Sequence, residues 1–188
     1  MKLLTAALLG TLALSFSARG AIDFSPITTE RVLAGVTFKE LNFSDDGRRI
    51  TYEQPRGWSY SGRGTSIRFL PPKLVLASAT IEQTPLPEPQ VFDADTAERL
   101  RARTLASVSP AGTKVTLVSE QPNPVVLNNH PTYEIIVSYE QGGERLMLSV
   151  IYLNLPATEV RFRTVARKED FDAVHAAVRG SLFSWQWR

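Results

Sequence analysis

The chain contains no cysteine. Disulfides, thiol chemistry, thiolate metal sites and a lipid anchor on an N-terminal cysteine are therefore excluded together. Histidine is almost as scarce, with two residues in 188, His130 and His175. They are too far apart for helical metal-ligand spacing, and no cysteine can join them. His130 reads as a turn residue in Asn128-Asn129-His130-Pro131, and His175 as a packing residue beside an apolar helical stripe. Beyond residue 20 there is no apolar run near the roughly 20 residues needed to span a bilayer as a helix.

One apolar run does stand at the start. Lys2 precedes an apolar stretch from Leu3 to Phe16, with the small residues Ser15, Ser17, Ala18, Gly20 and Ala21 at and after its end. That pattern predicts a secretory signal peptide over 1–20, cleaved after Gly20 or Ser17. Periplasmic or secreted localisation follows, with no stable membrane insertion once the leader is removed. Without Lys2 and Arg19 the remainder carries 19 basic and 19 acidic residues, so it is formally neutral. A neutral body has no global field that would draw it to nucleic acid or an anionic membrane. Residues 21–188 are long enough for one self-sufficient core and are expected to form a single domain.

Proline punctuates that body. Residues 36–43 and 48–54 flank Ser44-Asp45-Asp46-Gly47, a hairpin signature in which Gly47 takes positive φ. Pro55-Arg56-Gly57-Trp58 turns the chain, Ile67 and Phe69 mark a short strand, and 75–83 reads as another. Residues 84–92 are broken by alternating prolines. Asp95 and Glu98 suggest a capping box for a helix carrying Ala97, Leu100, Thr104, Leu105 and Val108 on one stripe.

Strands are expected again from Val115 onward. In 146–155, both alternating sets are apolar, which places that strand in the middle of a sheet. Residues 159–165 alternate Val160, Phe162 and Val165 with Arg161 and Arg163. A final helix over about 169–182 buries Phe171, Val174, Val178 and Leu182, with acids in its first turn and Arg179 late. The fold class is α+β: a mostly antiparallel β-sheet flanked by helices on both faces.

Two segments carry a family resemblance: the corner Tyr52-Glu53-Gln54-Pro55-Arg56-Gly57-Trp58, and the C-terminal meander closing in Asp170-Phe171 through Ser181-Leu182. Together they resemble the Mog1/PsbP-like α/β sandwich, including exported bacterial members of the DcrB type. The resemblance implies an accessory or binding protein rather than an enzyme, and supplies no functional residue to carry over.

Catalytic motifs are missing. No Gly-x-Ser-x-Gly elbow occurs. Phe92-Asp93-Ala94-Asp95-Thr96 departs from the Asp-x-Asp-x-Thr phosphotransfer motif because it lacks the buried strand upstream, and helix capping explains its acids. Gly62-Arg63-Gly64 lacks the third glycine of a dinucleotide fingerprint. No catalytic, cofactor or metal residue is assigned. Arg161 and Arg163, with Arg68, remain as a basic stripe on a sheet face, more simply read as solvated strand residues with cross-strand Glu partners. Trp185 and Trp187 remain as an aromatic pair that closes the core or, if exposed, marks a partner surface. The leading expectation is an exported, non-enzymatic binding or accessory protein whose partner is another envelope or secreted protein. A structural subunit of an envelope or secretion complex and a hydrolase with dispersed residues stand as alternatives.

Overall fold

The computed structural model describes residues 21–188; the expected leader over 1–20 lies outside the described residues. The chain opens with a long hairpin, β1 (Ile22–Leu33) and β2 (Val36–Asp45), and continues into β3 (Arg48–Tyr52), β4 (Ser59–Arg63), β5 (Ser66–Leu70) and β6 (Ser78–Pro85). Helix α1 (Ala94–Ala106) follows, then the meander β7 (Thr113–Pro122), β8 (Thr132–Gln141), β9 (Glu144–Asn154) and β10 (Thr158–Arg167). Helix α2 (Lys168–Leu182) and the short β11 (Gln186–Trp187) close the chain.

These strands divide into two sheets, one ordered β1-β2-β3-β11 and the other β4-β5-β6-β10-β9-β8-β7. Every pairing is antiparallel. β9 lies inside the larger sheet between β10 and β8, as its doubly apolar pattern requires. Leu146, Leu148, Val150 and Tyr152 join a core cluster with Leu100 of α1. Its alternate residues Ile151 and Leu153 join a second cluster with Phe171, Val174, Val178 and Leu182 of α2.

That second cluster also contains Ile22, Phe24, Leu41, Phe43, Ile50 and Tyr52, so it binds the smaller sheet to the larger. Trp185 is its hub. The indole lies 5.3 Å from the Phe162 ring, 5.9 Å from Tyr52 and 6.0 Å from Phe43, centroid to centroid. Edge-on and tilted contacts of this kind add to the gain from burying each aromatic side chain, which is itself about 1.5–3 kcal/mol.

The local readings need four corrections. β1 was not anticipated; its residues reach strand geometry by pairing with β2. The strand expected over 75–83 starts only at Ser78, because the Pro71-Pro72-Lys73 turn, with Lys73 at φ 67°, leaves Val75 in solvent. Helix α1 is capped by Asp93, whose carboxylate accepts from the Thr96 N–H at 2.8 Å, while Asp95 sits in the first turn. Val165 shares the face of Arg161 and Arg163 rather than opposing it, since a strand alternates by two. Among the described residues, no helix is long and apolar enough to cross a membrane.

Candidate binding groove

The corner after β3 builds one wall of a groove. Pro55 has no N–H to donate, and Gly57 takes φ 80°, a conformation open to glycine. The Trp58 N–H closes the turn on the Pro55 carbonyl at 3.2 Å, and the Gln54 Nε2 donates to the Trp58 carbonyl at 2.8 Å. Two hydrogen bonds then fasten the corner to the end of α2. Tyr52 Oη and Ser181 Oγ stand 2.7 Å apart, and the Glu53 N–H donates to Ser184 Oγ at 2.7 Å. Burial pushes the Tyr52 phenol pKa well up, so it remains a neutral hydrogen-bonding group.

Between this corner, α2 and β2 lies a groove of about 590 Å³. One wall is Val36 to Lys39, the second is Glu53 to Trp58, and the third is Ala177, Gly180, Ser181 and Ser184. Gly180 is helical, and a Cβ placed on it would meet nothing within 4 Å. Neither packing nor backbone geometry therefore demands a glycine there, although glycine weakens a helix by roughly 0.5–1 kcal/mol relative to alanine. Its effect is to leave the groove wall open.

The groove is charged at its rim. Arg31 pairs with Glu53 at 2.5 Å and stacks over Phe38 at 5.7 Å. That pair neutralises the groove's carboxylate, while Lys39 and Arg56 remain exposed. The Gln54 Oε1 is buried in the wall without a hydrogen-bond partner. Ser181 Oγ donates to the Val178 carbonyl and Ser184 Oγ to the Ser181 carbonyl. Neither bond pairs a hydroxyl with a base of the kind that activates a serine nucleophile.

A second polar constellation lies beneath α2. Glu134 on β8 is fully buried, and its Oε1 accepts from Ser149 Oγ at 2.6 Å and contacts His175 Nε2 at 2.6 Å. Its Oε2 accepts from Gln121 Nε2 at 2.8 Å. Burial pushes the Glu134 carboxyl up, but the bonds from His175, Ser149 and Gln121 and the electrostatic pull of His175 outweigh it, holding the carboxyl below its ordinary value. Serine and histidine converge on one carboxylate oxygen instead of forming a nucleophile–base line. The arrangement ties helix to sheet.

The residues singled out from sequence fall elsewhere. Arg161 and Arg163 both approach Glu82, at 3.4 and 3.8 Å, and Arg163 lines a small cleft of about 200 Å³ with Arg68. Trp185 is buried at the core hub, and Trp187 is half-buried, donating from Nε1 to Asp45 Oδ2 at 2.9 Å. His130 packs its ring edge-on to Trp187 at 5.7 Å. No cluster of three or more potential metal ligands occurs among the described residues. The corner 52–58, read from sequence as a mark of fold, is the part of the groove that was visible there. Glu134 was missed altogether.

No family model and no curated protein matches the chain. Solved structures do. The solution structure of cyanobacterial PsbP (CyanoP) from Synechocystis sp. PCC 6803 gives a TM-score of 0.52 at 12% identity, covering 96% of this chain and 99% of that one. LpqN, involved in cell envelope biogenesis of Mycobacterium tuberculosis, gives 0.50 at 11% identity, over 87% and 91% of the two chains. PA94 from Pseudomonas aeruginosa, a protein of unknown function, gives 0.42 at 16% identity over 82% and 93%. The likeness is one of fold, and the fold is Mog1/PsbP-like.

Proposed function

We propose that this is an exported, non-enzymatic accessory protein that binds a partner in the groove between α2, the 52–58 corner and β2. Residues 21–188 act as one domain, released to the periplasm or the exterior once 1–20 are removed. The two core clusters, one with each helix, support the larger sheet being covered by helices on both faces. The observation that carries the binding role is Gly180, a helical glycine facing open space in the groove wall. The descriptions of CyanoP as a PsbP and of LpqN as involved in envelope biogenesis fit an accessory role outside the cytoplasm.

The test is affinity capture from the native envelope with the wild-type protein and with Gly180→Trp, whose indole fills the groove. A partner held by the wild type and lost by the variant supports the assignment. Identical captures by the two proteins count against it. A role as a structural subunit is favoured by one feature, the exposed Val32, Leu33 and Val36 around the β1–β2 turn.

A further inference from the structure

β2 is longer than the strand beside it. On one side it pairs with β1 from Val36 to Asp45, but on the other β3 covers only Leu41 to Asp45. Among the described residues, Val36 to Glu40 thus have a strand partner on one side alone. The chain that would have continued β3 turns away: the Glu53 N–H goes to Ser184 Oγ, and Pro55 has none. The space it vacates is the groove.

The two turns that bound β2 define which backbone groups face that space. Each hairpin loop has two residues, Ala34-Gly35 at φ 50° and 77°, and Asp46-Gly47 at φ 46° and 83°. In such loops the flanking residues, here Leu33 with Val36 and Asp45 with Arg48, exchange both hydrogen bonds. Counting by two from Val36, the groups of Val36, Phe38 and Glu40 face β1. Counting back from Asp45, those of Phe43, Leu41, Lys39 and Thr37 face the other way. Both counts leave the N–H and C=O of Thr37 and Lys39 pointing to the open edge. Five residues paired on one side only, at about 3.4 Å each, give an edge of roughly 17 Å.

We infer that the groove takes an extended, acidic segment of a protein partner as an added strand, antiparallel to β2 in the line of β3. This deepens the binding role proposed above and rests on it. The edge supplies main-chain hydrogen bonds, and the space beside Trp58 and Gly180 takes an apolar side chain. The charge preference follows from exposed Lys39 and Arg56 in a groove whose carboxylate is already neutralised by Arg31.

The probe is a displayed library of random dodecapeptides, selected on the purified protein and followed by fluorescence anisotropy of the enriched peptides. Acidic peptides are expected, and N-methylation of their amides should weaken binding tenfold or more at every second position. Thr37→Pro removes an edge donor without touching the β1 ladder and should weaken binding similarly. Lys39→Met should cost several-fold for acidic peptides. N-methyl scans give the period-two readout even if the proline variant fails to fold.

Strand addition is overturned if no peptide is enriched, or if N-methylation is tolerated throughout. It is also overturned if the edge instead pairs two copies, seen as a concentration-dependent dimer in sedimentation that Thr37→Pro abolishes. Loss of envelope capture by Gly180→Trp alongside any of these results leaves the groove standing and removes only the strand. Unchanged capture and unchanged peptide binding in Gly180→Trp remove the groove itself.

Discussion

His175 Nε2 lies 2.6 Å from Glu134 Oε1, joining the middle of α2 to a carboxylate with no solvent exposure. Because the Glu134 carboxyl is held below its ordinary value, its stabilisation is complete above the unfolded pKa of about 4.3. It disappears as the pH falls through the folded value. Urea midpoints of the wild type should therefore drop on acidification below about pH 4.5. Glu134→Gln should lose about 1–3 kcal/mol at neutral pH and show a shallower acid slope. A variant that retains the full wild-type slope would show that another carboxylate governs it.

Gly180 gives a stability readout that needs no ligand. Gly180→Ala should stabilise the protein by roughly 0.5–1 kcal/mol, a rise in melting temperature of about 1–4 °C for a chain of this size. A fall in melting temperature would mean that α2 has no room at that position. The open space around its Cβ position argues against that outcome.

Arg103 on α1 donates to Glu159 on β10, and its guanidinium lies 5.0 Å from the Tyr152 ring centroid. Glu159 is almost wholly buried, so Arg103→Ala leaves a carboxylate without its main partner and should cost about 3 kcal/mol in denaturant unfolding. Replacing both, Arg103→Leu with Glu159→Leu, should recover most of that loss. A double variant no better than the single one would assign the cost to packing on Tyr152.

The two C-terminal tryptophans should separate cleanly. Trp185→Ala removes the hub of the aromatic cluster and should destabilise by about 3–5 kcal/mol. Trp187→Phe keeps an aromatic side chain, though a smaller one, and loses the N–H donated to Asp45, at a cost of about 1.5–3 kcal/mol for a bond to a charged acceptor. Equal losses would contradict the difference in burial between the two residues.

Much of the architecture was legible because it is written locally. β9 shows apolar residues at both parities, and α2 shows a clean stripe with acids at its start. The reasons for the failures are equally physical. Ser25 to Leu33 has no alternation to read, and becomes a strand through its ladder with β2. Glu134 stands at a position that looks wet, and is dry only because α2 covers that face. The groove was visible as the 52–58 corner alone, since Val36–Lys39 and Ala177–Ser184 reach it by tertiary folding.

The uncovered edge of β2 also bears on solubility. A strand edge with free N–H and C=O groups is a template for unwanted sheet growth, and charged side chains beside such an edge oppose it. Lys39 sits on that stretch beyond exposed Thr37, with the apolar Val36 and Leu33 nearer the hairpin tip. Its ammonium and the neighbouring Glu40 carboxylate put charge of both signs beside the edge, which disfavours indiscriminate pairing with a second strand while leaving the backbone groups open to a matched one.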